Sequence, residues 1–135
     1  MDTEVYSVRT GSRSVTDVTD LVTGFCAARG DGLCHVFAPH ATAGLALMET
    51  GSGSEADLDE LLHRLMPRDD RYRHRHGSAG HGADHLLPVL VGPSLVLAVQ
   101  RGDVLLGTWQ RVVLVDLNAD NPERHFRCSW LGAPA

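Results

Sequence analysis

No stretch of this chain is long and apolar enough to span a bilayer, and its opening residues, Met1-Asp2-Thr3-Glu4, do not read as a secretory leader. Positive charge is in the minority. Lysine and arginine together number 12 against 17 acidic residues, for a formal net charge of -5 with histidine neutral. That balance excludes a general nucleic-acid surface. Paired-cysteine chemistry is missing too. Cys26, Cys34 and Cys128 have no CxxC spacing, and each sits among apolar neighbours. They read as reduced, buried small hydrophobes of a cytoplasmic protein. There is no HExxH or other tight metal spacing, no internal repeat and no domain linker. Residues 1–135 therefore read as one domain with a respectable core.

Against these absences stands an excess of histidine, eight in all, within an otherwise ordinary composition of 43% hydrophobic and 21% charged residues. The alternation at 5–8 predicts a first strand, and 11–14 a turn. Val18, Leu21, Val22 and Phe25 follow helical spacing, with Thr16 as the expected N-cap and Gly30 as a stop. Strands are expected over 33–38 and 45–48, joined by a small-residue turn at His40. The clearest helix begins at Ser54, the expected N-cap, with Asp57 three residues on in a capping-box position. Leu58, Leu61, Leu62 and Leu65 form its apolar stripe, and Pro67 lies beyond its end. Residues 68–84 form a loop long for a compact domain, and such loops are commonly functional or disordered. An apolar segment runs from His85 to Val91. Strands follow at 95–99, 104–106, 111–117 and 126–131, the third apolar enough for a buried central strand. Strands outnumber helices and hairpin-length connections dominate the second half. The fold class is therefore α+β, a single antiparallel β-sandwich domain with about two main helices.

Two stretches carry chemistry. In Gly107-Thr108-Trp109-Gln110 a small residue, a hydroxyl, an indole and an amide stand side by side behind the Gly102-Asp103 turn. Glycine in a strand often marks close approach by a ligand or another backbone. The plainer alternative is a bulge with a packed Trp. Pro39-His40-Ala41-Thr42-Ala43-Gly44 places a histidine at a strand end before a turn whose amides suit an anion. His40, His74 and His85 stand out by position. Three converging imidazoles make an open, zinc-type site. His76 and His81 read first as solvated loop residues, with replacement of one of these ligands as the alternative.

These motifs, together with Gly32-Leu33-Cys34, Glu49, Leu65-Met66-Pro67, Tyr72-Arg73-His74, Gly92-Pro93-Ser94-Leu95 and Arg124, resemble the YjbQ-like family, also called the secondary thiamine-phosphate synthase family. Order and spacing agree from Gly32 to Arg124. The resemblance implies a homotrimer with a site near subunit boundaries. It maps the family histidines onto His40, His74 and His85, the acidic residue onto Glu49 and the signature onto Trp109 and Gln110. The name implies joining a pyrimidine pyrophosphate to a thiazole phosphate with loss of pyrophosphate.

The expected site therefore has His40, Glu49 and His85 as catalytic groups. Thr42, Gly44, Thr108, Trp109, Gln110 and Arg124 would bind an anionic small-molecule substrate, and a divalent metal, zinc first, would sit on His40, His74 and His85. This sequence departs from the family pattern at Ala41, Met48, the 79–83 stretch and Leu87, where a hydroxyl, an amide, acidic residues and a lysine are usual. Two alternatives follow from these departures. One is a metal-free acid–base enzyme using His40 and His85, and the other is a non-catalytic protein that binds a small anion.

Overall fold

In the computed structural model, which describes residues 1–133, the elements run in chain order as follows. Strand β1 (Thr3–Arg9) and strand β2 (Val15–Asp17) precede helix α1 (Thr19–Cys26). Strands β3 (Gly32–Phe37) and β4 (Ala43–Met48) precede helix α2 (Ser54–Leu65). Two single-turn helices follow, α3 (His81–Asp84) and α4 (Leu87–Leu90). The chain ends in β5 (Ser94–Gln100), β6 (Asp103–Val104), β7 (Arg111–Asp116) and β8 (Glu123–Gly132). The strands form two antiparallel sheets, one in the order β1-β8-β3-β5-β6 and one in the order β2-β7-β4. The α+β class with two main helices follows from this.

Strand β7 explains the layering. Its alternate residues Val112 and Leu114 join Leu45 against Cys34, Val36, Leu97, Val99, Phe126 and Cys128 of the larger sheet. Val22, Phe25 and Cys26 of α1 close the same core. The opposite face of β7, Val113 and Val115, packs under Leu62, Met66, Ala83 and Leu87. A strand buried on both faces needs a continuous apolar run, and this is why 112–115 reads as unbroken Val-Val-Leu-Val. Each such side chain contributes about 1.5–3 kcal/mol by leaving water. The cysteines sit wholly inside this core. The neighbouring Cys128 thiol and burial push Cys34 up to about 12, and a thiol held protonated there is inert.

Three local expectations are corrected. Thr16 does not cap α1, because it lies in β2. The N-cap position is Val18, and the side chain of Asp17 before it serves the helix start, its Oδ1 accepting the Thr19 amide at 2.9 Å and the Thr19 hydroxyl at 2.6 Å. Ser54 is inside the first turn of α2, not before it. Gly53, at φ 95°, turns the chain into the helix, and its carbonyl accepts the Asp57 amide at 3.1 Å. Only Leu62 of the expected leucine stripe is fully buried, whereas Leu61 and Leu65 are 46% and 61% exposed. The small sheet is only three strands wide, so α2 covers it with a narrow contact.

Gly44 has a packing role. A Cβ there would fall 1.8 Å from the carbonyl oxygen of Val91, because the 91–92 backbone lies directly on β4 and Gly92 accepts the Leu45 amide at 2.8 Å. Gly44→Ala must force these backbones apart, which exceeds the roughly 1–3 kcal/mol of ordinary overpacking. The expected result in urea unfolding is a loss of about 3 kcal/mol or more with the slope unchanged. A loss below about 1 kcal/mol would contradict the close approach.

Candidate functional site

The loop at 68–84 is folded back on itself. Arg68 at its start pairs with the carboxylate of Asp84 at its end, which is fully buried. The Tyr72 hydroxyl donates to the Pro67 carbonyl at 2.8 Å. This strap brings together four imidazoles, His74, His76, His81 and His85, each offering one nitrogen, all within 4.8 Å of one another. Around the cluster, ring centres are 4.0 Å apart for His74–His76, 4.8 Å for His76–His81, 4.6 Å for His81–His85 and 4.3 Å for His74–His85. The two diagonals are 5.7 and 5.6 Å. The rings therefore form a puckered square around one point.

The orientation of His81 suits a cation at that point. Its Nε2 lies 2.9 Å from Nε2 of His85, so these two atoms face inward. Its Nδ1 is buried and makes no hydrogen bond among the described residues, yet it faces Asp120 at 3.7 Å and Asp84 at 3.9 Å. A metal-ligating imidazole usually turns its other nitrogen toward a carboxylate. Four nitrogens on a tetrahedral zinc would lie about 3.3 Å apart, given bonds near 2.0–2.1 Å. The cluster needs only small adjustments to reach that spacing.

A ladder of side-chain caps supports the carboxylates. Asp116, at the end of β7, accepts Nε of Arg124 at 2.5 Å and the Asn118 amide at 2.8 Å. Asn118 accepts the Asp120 amide at 2.8 Å. Asp120 accepts the hydroxyl of Ser78 at 2.9 Å, and these Ser78 contacts hold its carboxyl below the usual range. Arg124 Nη2 donates to the Thr42 hydroxyl at 2.8 Å. A cavity of about 440 Å³ opens beside the cluster, lined by His40, Thr42, His76, His81, His85 and Arg124 among others.

His40 stands at this cavity but outside the four-imidazole set. Its Nε2 is engaged by the backbone of His125, 2.9 Å from the carbonyl and 3.1 Å from the amide. The expected residues thus divide. His40, Thr42, Arg124 and His85 meet at the cavity, with His74 in the adjoining cluster. Glu49, Thr108, Trp109 and Gln110 do not. Ala43 pairs with Asp116 at the cavity end of the small sheet, whereas Met48 pairs with Arg111 at the other end. Five residue steps put those ends about 17 Å apart. There the signature residues form an exposed turn closed by Gln110 Oε1 on the Gly107 amide at 2.8 Å, and Trp109 is 72% exposed. Gly44 packs on Val91 and does not line the cavity.

Sequence reasoning underweighted His76 and His81, and missed Asp84 and Asp120. A signal existed for one of them. His81 and His85 are four apart, the spacing that puts two side chains on one face of a helical turn. Asp120 lies 39 residues from His81, and only the fold shows that they meet.

Residues 4–133 match the family described as UPF0047 protein YjbQ-like. This chain belongs to the YjbQ/UPF0047 family. A UPF0047 protein of Mycobacterium tuberculosis is 61% identical over 131 residues, covering 97% of this chain and 98% of that one. One from Archaeoglobus fulgidus is 33% identical, covering 87% and 93%. Among solved structures, a YjbQ/UPF0047-like fold recurs in a hypothetical protein of Aeropyrum pernix K1, with TM-score 0.87 and 31% identity over 98% of this chain and 100% of that one. A Sulfolobus solfataricus P2 protein, described as YbjQ-like and of unknown function, gives 0.90 at 25% identity, covering 98% and 97%. No helix among the described residues of this family member is long and apolar enough to cross a membrane.

Burial and neighbouring imidazoles lower the pKa of His85 and of His74. Burial also lowers that of His40. A lowered histidine pKa means that the unfolded chain binds more protons near pH 6, so stability rises with pH there. Metal-free protein should therefore hold its stability above about pH 6.5, the unperturbed histidine value, and lose it progressively on acidification below that. Thermal melting in EDTA between pH 7.5 and 5.5 checks this. Unchanged melting across that range would contradict neutral imidazoles in the cluster.

Proposed function

We propose that this protein is a small metal-assisted enzyme acting on a phosphorylated heterocycle. The observation that supports this is the four-imidazole cluster opening on a cavity with a buried arginine. His74, His76, His81 and His85 would hold a divalent cation, zinc first, which when bound would supply Lewis-acid polarisation of a phosphate oxygen. The protein's own groups do the rest. Arg124 spends Nε on Asp116 and Nη2 on Thr42, which fixes the guanidinium plane and leaves Nη1 to meet an anion. His40, tethered through Nε2, keeps Nδ1 to hold or move a proton.

The remaining signature residues enter through assembly. In the proposed homotrimer the Trp109 turn of one protomer reaches the cavity of the next, the indole stacking on the heterocycle and Gln110 orienting it. The exposure of Trp109 at the end remote from its own cavity supports this reading. Light scattering that gives a monomer at micromolar concentration would remove it.

Metal-loaded protein supplied with a pyrimidine pyrophosphate and a thiazole phosphate should release pyrophosphate and form the joined product by mass spectrometry. His40→Ala should reduce the rate about 100-fold or more, as loss of a general acid or base does. Binding without product would favour the non-catalytic reading. Turnover that survives EDTA would favour the metal-free one, which the separation of His40 from the cluster already supports.

A further inference from the structure

The metal reading raises a difficulty that this chain's own residues resolve. A catalytic metal keeps one coordination position open, whereas four protein ligands close it. One of the four imidazoles must then give way, and their surroundings differ. His81 is buried, with Nδ1 between Asp84 and Asp120. His85 begins the segment that packs Leu87 into the core, and it is partly buried. His74 is exposed as well, but it follows Tyr72, which packs against the small-sheet core and is tied to Pro67. His76 is exposed, makes no side-chain hydrogen bond among the described residues, and precedes Gly77 at φ 78°.

Position separates His76 in a second way. Two cavities flank the cluster, one of about 340 Å³ on the loop side and one of about 440 Å³ bearing Arg124. His74 lines only the first and His85 only the second, whereas His76, Gly77 and His81 line both. His76 is thus part of the wall between them, and it is the exposed part, whereas His81 is buried against Asp84 and Asp120. A rotation at the 76–77 joint would withdraw one imidazole toward the loop-side cavity and open the metal to the cavity that holds Arg124.

The geometry points to His76 as a displaceable fourth ligand, which closes the site at rest and yields its position to an oxyanion of the phosphate class. This rests on the metal reading above. Its chemistry is a simple exchange of one neutral nitrogen donor for one anionic oxygen donor, with no redox change. The anion gains Arg124 as a second partner, which the imidazole does not have.

The test uses untagged full-length protein loaded with cobalt(II), with inorganic phosphate as the probe. Wild type should bind one cobalt per chain, and phosphate should change its visible spectrum. His76→Ala should still bind one cobalt, show a changed spectrum before phosphate is added, and bind phosphate about 10-fold more tightly, since no imidazole competes. His85→Ala, as the contrast, should lose the cobalt. If His76→Ala loses cobalt as fully as His85→Ala, His76 is a fixed ligand and the inference fails. If its spectrum and phosphate affinity match wild type, His76 is not a ligand and the inference again fails. Wild type that takes up no cobalt would overturn the metal reading itself, and the inference with it.

Discussion

Arg124→Ala is expected to lower stability by about 3–5 kcal/mol, the range for breaking one side of a buried ion pair. For 135 residues that corresponds to a fall in melting temperature of roughly 10–18 °C. The cost is large because of what remains. Asp116 is 4% exposed and loses the guanidinium whose Nε lies 2.5 Å away. The Thr42 hydroxyl loses its donor as well. Arg124→Lys should recover only part of the loss, since an ammonium cannot reach Asp116 and Thr42 in one plane. Pairing Arg124→Ala with Asp116→Ala should cost far less than the sum of the two, because neither charge is left buried alone. Additive losses in that double-mutant cycle would show that the pair is not the source of the stability. The same arginine faces the cavity, so any anion affinity should disappear along with the stability.

Much of the fold was legible because its signals were local. Val-Val-Leu-Val at 112–115 announced a strand buried on both faces, and it is the centre of the small sheet. The helix at 54–65 was visible from its leucines and acidic start, although the sequence misjudged how much of the stripe would be covered. Strand β2 was not legible. Its three residues follow a turn and precede a helix, and their partner β7 is almost a hundred residues away. The site was legible in the same uneven way. His40, His74 and His85 stood out at element boundaries. His76 and His81 looked like solvated loop residues because nothing local reveals that Arg68 and Asp84 cinch the loop. The Trp109 turn was placed in the site by motif, but within the chain the register Met48–Arg111 carries it to the opposite end. Register is a long-range property, and composition does not disclose it.

Loading the cluster should have the other large effect. Zinc at about 100 times its dissociation constant should raise the apparent stability by about 2.7 kcal/mol, since it binds the folded state in preference to the unfolded one. That is near 10 °C in melting temperature for a chain of this size. The gain should be specific to the cluster. His85→Ala removes an inward-facing nitrogen and should abolish the shift, whereas Asp120→Ala leaves all four nitrogens and removes one of the two carboxylates facing His81 Nδ1. The second change should weaken metal binding about 10–100-fold, the usual effect of losing an outer partner of a ligating histidine. The shift should also shrink below about pH 6.5, because protons compete for the same nitrogens. A zinc-induced shift that survives His85→Ala would place the ion elsewhere on the protein. No shift in wild type at neutral pH would leave the cluster without a metal, with His40 and Arg124 as the chemistry of the cavity.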